Sequence, residues 1–458
     1  MFGLVYPFQK RTAKGCNPPL SLLALATSLK NNNLPVSVFD YDGEKPDNLE
    51  DLAQRVLKEN PIIIGMPLFS WEMKRVYEMT RLFRNMKPDV KIILGGAHAT
   101  AIPEKVMKEF DTIDYLFAGE ADQALVDLYR YLDNSADIKS IRGMYYRSNG
   151  AISRNSPWVA ENDINTFPIP DRSIIDRYYD SGTYFRAEHC GITDIMVTSR
   201  GCPFDCYFCF QIKRGYRIRT VDNIVEEVKY LHKRGVTNIH FEDDIFTIDR
   251  KKCFQMFSEI KASNLNIKFK IRSRVDTIDS EMLTVLKNAG VDTIVYGVES
   301  GSDKILKLMN KKNTVEQNRR AVRIAKKAGF RVYADLFIGY PGETHESIRE
   351  TTEFLLKERP HAINISVFVP FPNTKVYDQC KKDNSIVGDW SIYNKEDPWV
   401  KLDWIQTPEE LWKIIKMIRL RFYFHPFIFF SIIKMLLKTF QLKDIRYYFK
   451  YFFKSYKE

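Results

Sequence analysis

Residues 199–209 read SRGCPFDCYFC, placing Cys202, Cys206 and Cys209 on one short stretch of a 458-residue chain that holds seven cysteines in all. The other four, Cys16, Cys190, Cys253 and Cys380, are scattered and read as ordinary partly buried thiols. A zinc site usually draws four N or S ligands from paired modules; here the spacing is C-x3-C-x2-C, and no further Cys or His follows before His232. Three thiolates on one loop suit a 4Fe-4S cluster with one iron left open for a substrate. An incomplete zinc site or a chance grouping is the competing reading, and the position of the loop, directly after an expected strand, weighs against it.

That strand opens an alternation running downstream from residue 192. Strands are expected over 195–199, 238–242, 268–274, 293–297, 332–338 and 362–369, with helices over 222–234, 251–263, 280–288, 315–328 and 344–357. Six such units predict a partial (β/α)6 TIM-type barrel over 190–385, shorter than the roughly 250-residue eight-unit form. Polar residues just past the strand ends should line one mouth: the cysteines, Asp243 and Asp244, Glu299, and the loop 339–344. Arg272 and Arg274 lie two apart on the third strand and so share a face. Two arginines against the helix layer would be costly, which favours the mouth for both, facing carboxylates or a phosphate-bearing substrate.

Upstream, residues 1–138 alternate short apolar strands (3–6, 36–39, 62–66, 91–94 and 115–117) with helices near 20–30, 49–58 and 73–85. This order predicts a doubly wound, Rossmann-like α/β domain. Ligands of such sheets sit at the carboxyl ends of the strands, so the loops 7–15, 65–71, 95–98 and 119–120 are the ones to inspect. A purely nucleotide-binding Rossmann domain is excluded, because no G-x-G-x-x-G follows the first strand. Between the two alternations, 139–189 is rich in Pro, Asn, Asp, Ser and Tyr and reads as a connector.

Hydrophobic residues make up 45% and charged residues 28%, an ordinary globular balance. An odd cysteine count and no apolar signal segment argue against a disulfide framework, so a cytoplasmic setting is expected. The net charge of +11 is local: residues 411–458 carry eleven Lys or Arg against Asp444 and Glu458, a net +9, leaving +2 for the preceding 410. General affinity for nucleic acid is therefore not expected.

C-x3-C-x2-C with an aromatic, Phe208, before the last cysteine resembles the signature of the radical S-adenosylmethionine superfamily. The resemblance implies that Cys202, Cys206 and Cys209 hold a 4Fe-4S cluster whose open iron chelates the amino and carboxylate groups of S-adenosylmethionine. An electron passed into the sulfonium then yields a 5′-deoxyadenosyl radical that abstracts hydrogen from a substrate. It further implies contacts to S-adenosylmethionine from Phe208, from Glu242 and Asp243 after the second barrel strand, from Glu299 and Ser300 after the fourth, and from Gly339, Pro341 and Gly342 after the fifth. Here Glu242-Asp243-Asp244 departs from the family's common Gly-Gly-Glu, leaving open which of them meets the amino group. Asp243 and Asp244 as a solvated turn, and Glu343-Thr344 as a helix start, are the plainer alternatives.

The first domain resembles the cobalamin-binding domain that precedes the barrel in one branch of that superfamily. The residues carrying this are Asn17-Pro18-Pro19-Leu20, Asp40, Gly65-Met66, 93–100 (ILGGAHAT) and 114–120 (DYLFAGE). The resemblance implies cobalamin contacts from Pro19, Gly65, Gly95, Gly96, Gly119 and Glu120. Many cobalamin carriers supply a lower axial histidine from D-x-H-x-x-G after the first strand; this chain reads QKRTAKG over 9–15 and has none. His98, after the fourth strand, reads as a loop residue with backbone partners rather than a cobalt ligand. The methylthiolating branch is argued against, since the first domain carries Cys16 alone where a second cluster needs more thiols.

Together these features imply a cobalamin-dependent radical methyltransferase acting on an unactivated carbon or phosphorus. A rearrangement or oxidative cyclisation with the same cofactors is the alternative, and a non-catalytic cobalamin sensor or carrier is a reading of another class. The expected partners are a small-molecule or lipid substrate and a one-electron reductant such as flavodoxin or ferredoxin. Residues 386–458 form a basic, aromatic-rich segment expected to be a helical extension. It reads as a helix packed on the barrel, as an interfacial segment in peripheral contact with an anionic membrane, or, less well, as a single-strand nucleic-acid surface.

Overall fold

The computed structural model describes residues 1–8, 15–148, 150–186, 191–212, 215–393 and 397–430. Cys190, the loop 9–14 and the tail from 431 onward lie outside the described residues.

Strand β1 (Phe2–Tyr6) is followed by a two-residue strand, β2 (Gly15–Cys16), that belongs to the other sheet. The first sheet continues with β3 (Val36–Asp40), β4 (Ile63–Pro67), β5 (Lys91–Gly95) and β6 (Tyr115–Phe117), all parallel, in the order β3-β1-β4-β5-β6. Helices Leu20–Asn31, Leu49–Lys58 and Met73–Met86 cover its two faces, and β4 is buried along its whole length because both faces are covered. This is the doubly wound arrangement expected from the alternation.

The sheet does not end where the alternation does. Strands β7 (Met144–Ser148) and β8 (Ala151–Arg154) form a hairpin that adds antiparallel to β6. The first domain thus reaches past residue 138, and the expected connector is shortened. Tyr145 and Tyr146 suit a strand, and Gly150 at φ +79° supplies the turn, a hairpin signal hidden within a polar segment.

The second sheet is built on β9 (Phe185–Arg186), β10 (Ile192–Met196), β13 (Val236–Phe241), β14 (Lys268–Ser273), β15 (Val291–Glu299), β16 (Arg331–Ile338) and β17 (Ala362–Val367). A small ribbon of β11 (Ser199–Arg200) and β12 (Arg217–Ile218) brackets the cysteine loop. From β10 to β17 every pairing is parallel and sequential, as a partial barrel requires. On the open side β9 pairs antiparallel with β10, and β2 from the first domain pairs with β9, so the two domains share one sheet edge.

Alternation along β16 sorts the barrel's two faces. Val332, Ala334, Leu336 and Ile338 are buried against the helices, while Arg331, Tyr333, Asp335 and Phe337 are half-buried on the opposite, lumenal face. The helix layer starts cleanly because its caps are written locally: Thr314 with Gln317 and Thr344 with Ser347 form capping boxes.

The extension after the barrel is only partly helical. Strands β18 (Ile386–Val387) and β19 (Trp399–Val400) pair with each other. Trp390 and Ile392 bury themselves in the core of the first domain, and helix Pro408–Tyr423 packs Leu411, Ile415, Ile418 and Phe422 into the barrel core.

The connector is anchored by a buried charge. Arg172 is fully buried; its guanidinium donates to Glu227 at 2.6 Å, to the Pro170 carbonyl at 2.8 Å and to the Ile195 carbonyl at 2.8 Å, and sits 3.4 Å from Asp194. Glu227 also takes Arg219, and Asp194 takes the Tyr179 hydroxyl. Removing one member of such a network leaves an uncompensated buried charge. Arg172→Leu is therefore expected to lower the unfolding free energy by about 3–5 kcal/mol, read from urea denaturation, with Glu227→Gln losing less because Arg172 retains Asp194.

Candidate functional site

The cysteine loop leaves the barrel mouth through β11 and is held by three hydrogen bonds. The Tyr207 amide donates to the Met309 carbonyl at 3.0 Å, the Val376 amide donates to the Tyr207 carbonyl at 3.0 Å, and the Asn310 side chain donates to the Asp205 carbonyl at 2.6 Å. Cys202 is buried, Cys206 half-buried and Cys209 exposed. Phe204, Asp205, Cys206, Cys209, Gln211 and Asn373 line a cavity of about 150 Å³. Among the described residues, no three Cys, His, Asp or Glu side chains converge tightly enough for a single metal ion. Two thiols on the cavity wall, Cys206 and Cys209, with Cys202 buried on the same loop, instead fit a multi-iron cluster, whose own sulfides fill the middle. Burial pushes the Cys206 thiol up, and the cations of Lys311 and Arg274 pull it back. Arg274 Nη1 lies 3.9 Å from Cys206 Sγ, and its guanidinium stacks 3.9 Å from the Phe204 ring centroid.

Around this loop the structure sorts the residues expected to meet S-adenosylmethionine. Phe208 packs edge-on to Phe337 at 5.3 Å, on the lumenal side. Glu299 ends β15 with φ +63° and pairs with Lys311 Nζ at 2.7 Å; a Cβ at Gly297 would come within 2.6 Å of its Oε1, so glycine there makes room for the pair. Glu242 faces the lumen but is engaged by Arg272 Nε at 2.9 Å.

Asp243 turns away from the lumen. It is buried, and its Oδ1 accepts from the Thr198 amide at 3.0 Å, the Thr198 hydroxyl at 2.8 Å and the Ser199 hydroxyl, which braces the start of the cysteine loop. Asp244 is the exposed member of the pair, and its charge is felt at Cys202 and Cys209. Ser300 likewise faces the helix layer, where its hydroxyl meets Thr351 at 3.3 Å and accepts from the Ser302 amide at 3.2 Å. The one-residue alternation at each strand end decides which of two adjacent polar residues enters the mouth, and the sequence did not show where each strand stops.

The loop after β16 is held by its own carboxylate. The Gly339 amide donates to Glu343 Oε2 at 2.6 Å, and Trp404 Nε1 donates to the Glu343 carbonyl at 2.8 Å. Gly339 and Gly342 both need positive φ, while Pro341 is half-buried between them. Arg272 and Arg274 part company beyond β14. Arg272 spans the lumen to Asp335 at 2.9 Å, with Asn364 donating to the other Asp335 oxygen at 2.7 Å. Arg274 is buried against Asp276 at 2.7 Å and the Lys311 carbonyl at 2.6 Å. Both meet carboxylates, and only Arg272 lies in the open lumen.

At the carboxyl edge of the first sheet, Pro19 precedes helix Leu20–Asn31, and Gly65 lies 2.8 Å from the Leu4 side chain by its would-be Cβ. Gly96, at φ +94°, lets the loop after β5 close on Leu68: Leu68 donates to the Gly95 carbonyl at 2.7 Å, and His98 donates to the Leu68 carbonyl at 3.1 Å. Gly119 is required by packing, since a Cβ would strike Trp158 at 2.4 Å. His98 is buried on a short helix, Ala97–Ala101, with Nδ1 2.8 Å from the Ser70 hydroxyl; burial pushes its imidazole down to about 4, so it is neutral. Its side-chain partner is thus another side chain rather than the backbone.

Two features of this edge were not found from sequence. Trp71 is 58% exposed yet fixed, stacked on Phe69 at 5.3 Å and edge-on to Phe371 of the barrel at 6.0 Å; Phe371 in turn stacks on Trp390. A flat aromatic face left open between the domains fits a large planar macrocycle such as a corrin. Glu120, expected among the cobalamin contacts, receives Arg217 at 2.6 and 3.0 Å and lies 3.5 Å from Arg200; Arg200 also reaches Asp122 at 3.2 Å. Both arginines sit on the ribbon bracketing the cluster loop. Their presence in the sequence was plain, but nothing local named their partner.

Residues 196–355 match the radical SAM superfamily, and residues 9–129 match the B12 binding domain. The chain belongs to the radical SAM superfamily, in its cobalamin-binding branch. A Pyrococcus horikoshii protein named as an uncharacterized methyltransferase is 30% identical over 425 residues, covering 91% of this chain and 90% of that one. An anaerobic magnesium-protoporphyrin IX monomethyl ester cyclase from Rubrivivax gelatinosus is 27% identical, covering 88% of this chain and 73% of that one. Among solved structures, the methyltransferase TsrM from Kitasatospora setae, with tryptophan and an S-adenosylmethionine analogue bound, superposes with a TM-score of 0.71 at 19% identity, over 83% of this chain and 76% of that one. This radical SAM enzyme uses a 4Fe-4S cluster, S-adenosylmethionine and cobalamin. No helix among the described residues is long and apolar enough to cross a membrane.

Glu120→Ala, which strips both ribbon arginines of their shared partner, is expected to cost about 2 kcal/mol in urea denaturation and to expose the connector to limited proteolysis, while hydroxocobalamin, titrated by absorbance, binds nearly as before. Burial pushes Glu343 up from 4.5 to about 7. The folded protein therefore holds a proton that the unfolded chain has lost, and stability falls as pH rises through that window. Glu343→Gln keeps an acceptor for Gly339 and should flatten the dependence, so that urea midpoints at pH 5 and pH 8 differ less in the variant than in the wild type.

Proposed function

We propose that this enzyme transfers a methyl group to an unactivated carbon or to phosphorus in a small-molecule or lipid substrate. The observation that carries the reading is the direct tie between the carboxyl edge of the cobalamin domain and the ribbon bracketing the cluster loop, through Glu120, Asp122, Arg200 and Arg217. When bound, cobalamin supplies the methyl group, and the cluster with S-adenosylmethionine supplies the radical that opens the substrate bond. Asp244 and Glu242 offer anionic oxygens for an ammonium, and Glu299 offers acceptors for ribose hydroxyls, beside the Lys311 cation. Arg272, Asp335 and Asn364 form a hydrogen-bonding wall across the lumen for the polar part of the substrate. The Pyrococcus relative, matched almost end to end, supports methyl transfer; the Rubrivivax cyclase favours oxidative cyclisation as the second reading.

Exposed Phe424, Phe427 and Phe430, next to the most basic part of the chain, support a peripheral membrane contact for this end of the molecule.

The deciding experiment is anaerobic reconstitution with iron and sulfide, then reduction with dithionite and S-adenosylmethionine, with and without hydroxocobalamin. 5′-Deoxyadenosine, S-adenosylhomocysteine and methylcobalamin are followed by mass spectrometry. The expected result is deoxyadenosine that disappears in Cys206→Ala, and S-adenosylhomocysteine with methylcobalamin that appear only when cobalamin is supplied. Deoxyadenosine without methylcobalamin would move the assignment to cyclisation; formation of neither product would overturn it.

A further inference from the structure

The cluster needs one electron from outside for each cleavage of S-adenosylmethionine, and the outer wall of the cysteine loop carries exposed lysines beside exposed apolar side chains. The short helix Asp303–Leu308 lies against this loop through the neighbouring Met309 and Asn310 contacts. It points Lys304, Lys307 and Leu308 outward on one face, at i, i+3 and i+4. Leu308 is 43% exposed and Tyr207, from the cysteine loop itself, 37% exposed. Lys375 completes the patch, with its ammonium 4.9 Å from the Tyr207 ring, and Lys312 follows the helix, also exposed.

Asp303 accepts the Val315 amide at 2.8 Å, and Asp205 pairs with Lys375 at 2.5 Å. Lys304, Lys307 and Lys312 make no ion pair among the described residues and leave a positive rim beside two exposed apolar side chains, next to a loop that carries Cys206 and Cys209. Exposed apolar residues inside a ring of one charge mark a transient docking face, and charge complementarity sets its partner and on-rate.

We infer that Lys304, Lys307, Lys312 and Lys375, around Tyr207 and Leu308, dock an acidic one-electron carrier protein of the flavodoxin or ferredoxin kind. This rests on the radical SAM reading and names the partner surface of the same cluster. In the step itself the carrier is oxidised by one electron and the cluster reduced by one; no bond is made and no proton moves between the proteins.

The test compares two reductants on the full chain with its cluster reconstituted: reduced flavodoxin, which must dock, and dithionite, which need not. In Lys304→Glu/Lys307→Glu, flavodoxin-driven deoxyadenosine formation should fall about tenfold or more at low ionic strength, against an unchanged dithionite-driven rate. The wild-type flavodoxin rate should also drop with added salt. Reversal of Lys251 and Lys252, on the helix Arg250–Ala262, serves as the control and should change neither rate. An unchanged flavodoxin rate in the double variant, or an equal loss with dithionite, would overturn the assignment of this face. Absence of deoxyadenosine from wild-type protein with dithionite would instead overturn the radical reading beneath it.

Discussion

Arg200 and Arg217 stand side by side on a two-strand ribbon, and both reach across the domain boundary to Glu120. Arg200 is two residues from the first cluster cysteine, and Glu120 is three residues past β6 at the carboxyl edge of the cobalamin domain. An enzyme that moves a group between two cofactors depends on their separation and orientation, because a small misplacement is enough to slow the reaction strongly. The ion pairs here tie the edge of the first domain to the ribbon beside the cysteine loop with charge-assisted bonds that are largely shielded from water, where they are stronger than at an open surface. The shared sheet edge of β2, β9 and β10 and the insertion of Trp390 into the first domain's core hold the same boundary elsewhere.

The lumen shows the same matching of charge. Glu242, Arg272 and Asp335 neutralise one another across three different strands, and Glu299 is matched by Lys311. Each carboxylate is held in place before any ligand arrives, so binding need not order these side chains and the site is pre-organised. Asp243 serves the scaffold instead, since by taking the Thr198 amide and two hydroxyls it fixes the turn from β10 into the cysteine loop.

Much of this was legible in the chain because it is local. C-x3-C-x2-C, the strand and helix periods and the Thr caps each lie within a few residues, and five of the six parallel barrel strands appear within two residues of where the alternation placed them, the first lying three residues earlier. Glu120 and Ser300 show the limit: an acidic residue after a strand, or a serine beside a glutamate, carries no mark saying whether it meets a ligand, a neighbouring domain or a helix. The hairpin at 144–154 was hidden for a related reason, since its tyrosines sit within a polar stretch and pair with a strand already counted.

The sequence by itself determined the two cofactor domains, their order and the grouping of three thiols on one loop, because residue spacing and hydrophobic period are properties of consecutive residues. Only the tertiary structure decided which polar side chain at each strand end faces the mouth, that Trp71 and Phe371 form an open aromatic face between the domains, and that Glu120 binds arginines. Those outcomes depend on strand register and on pairs such as Glu120 and Arg217, far apart in the chain, whose energy exists only once folding brings them within hydrogen-bonding distance.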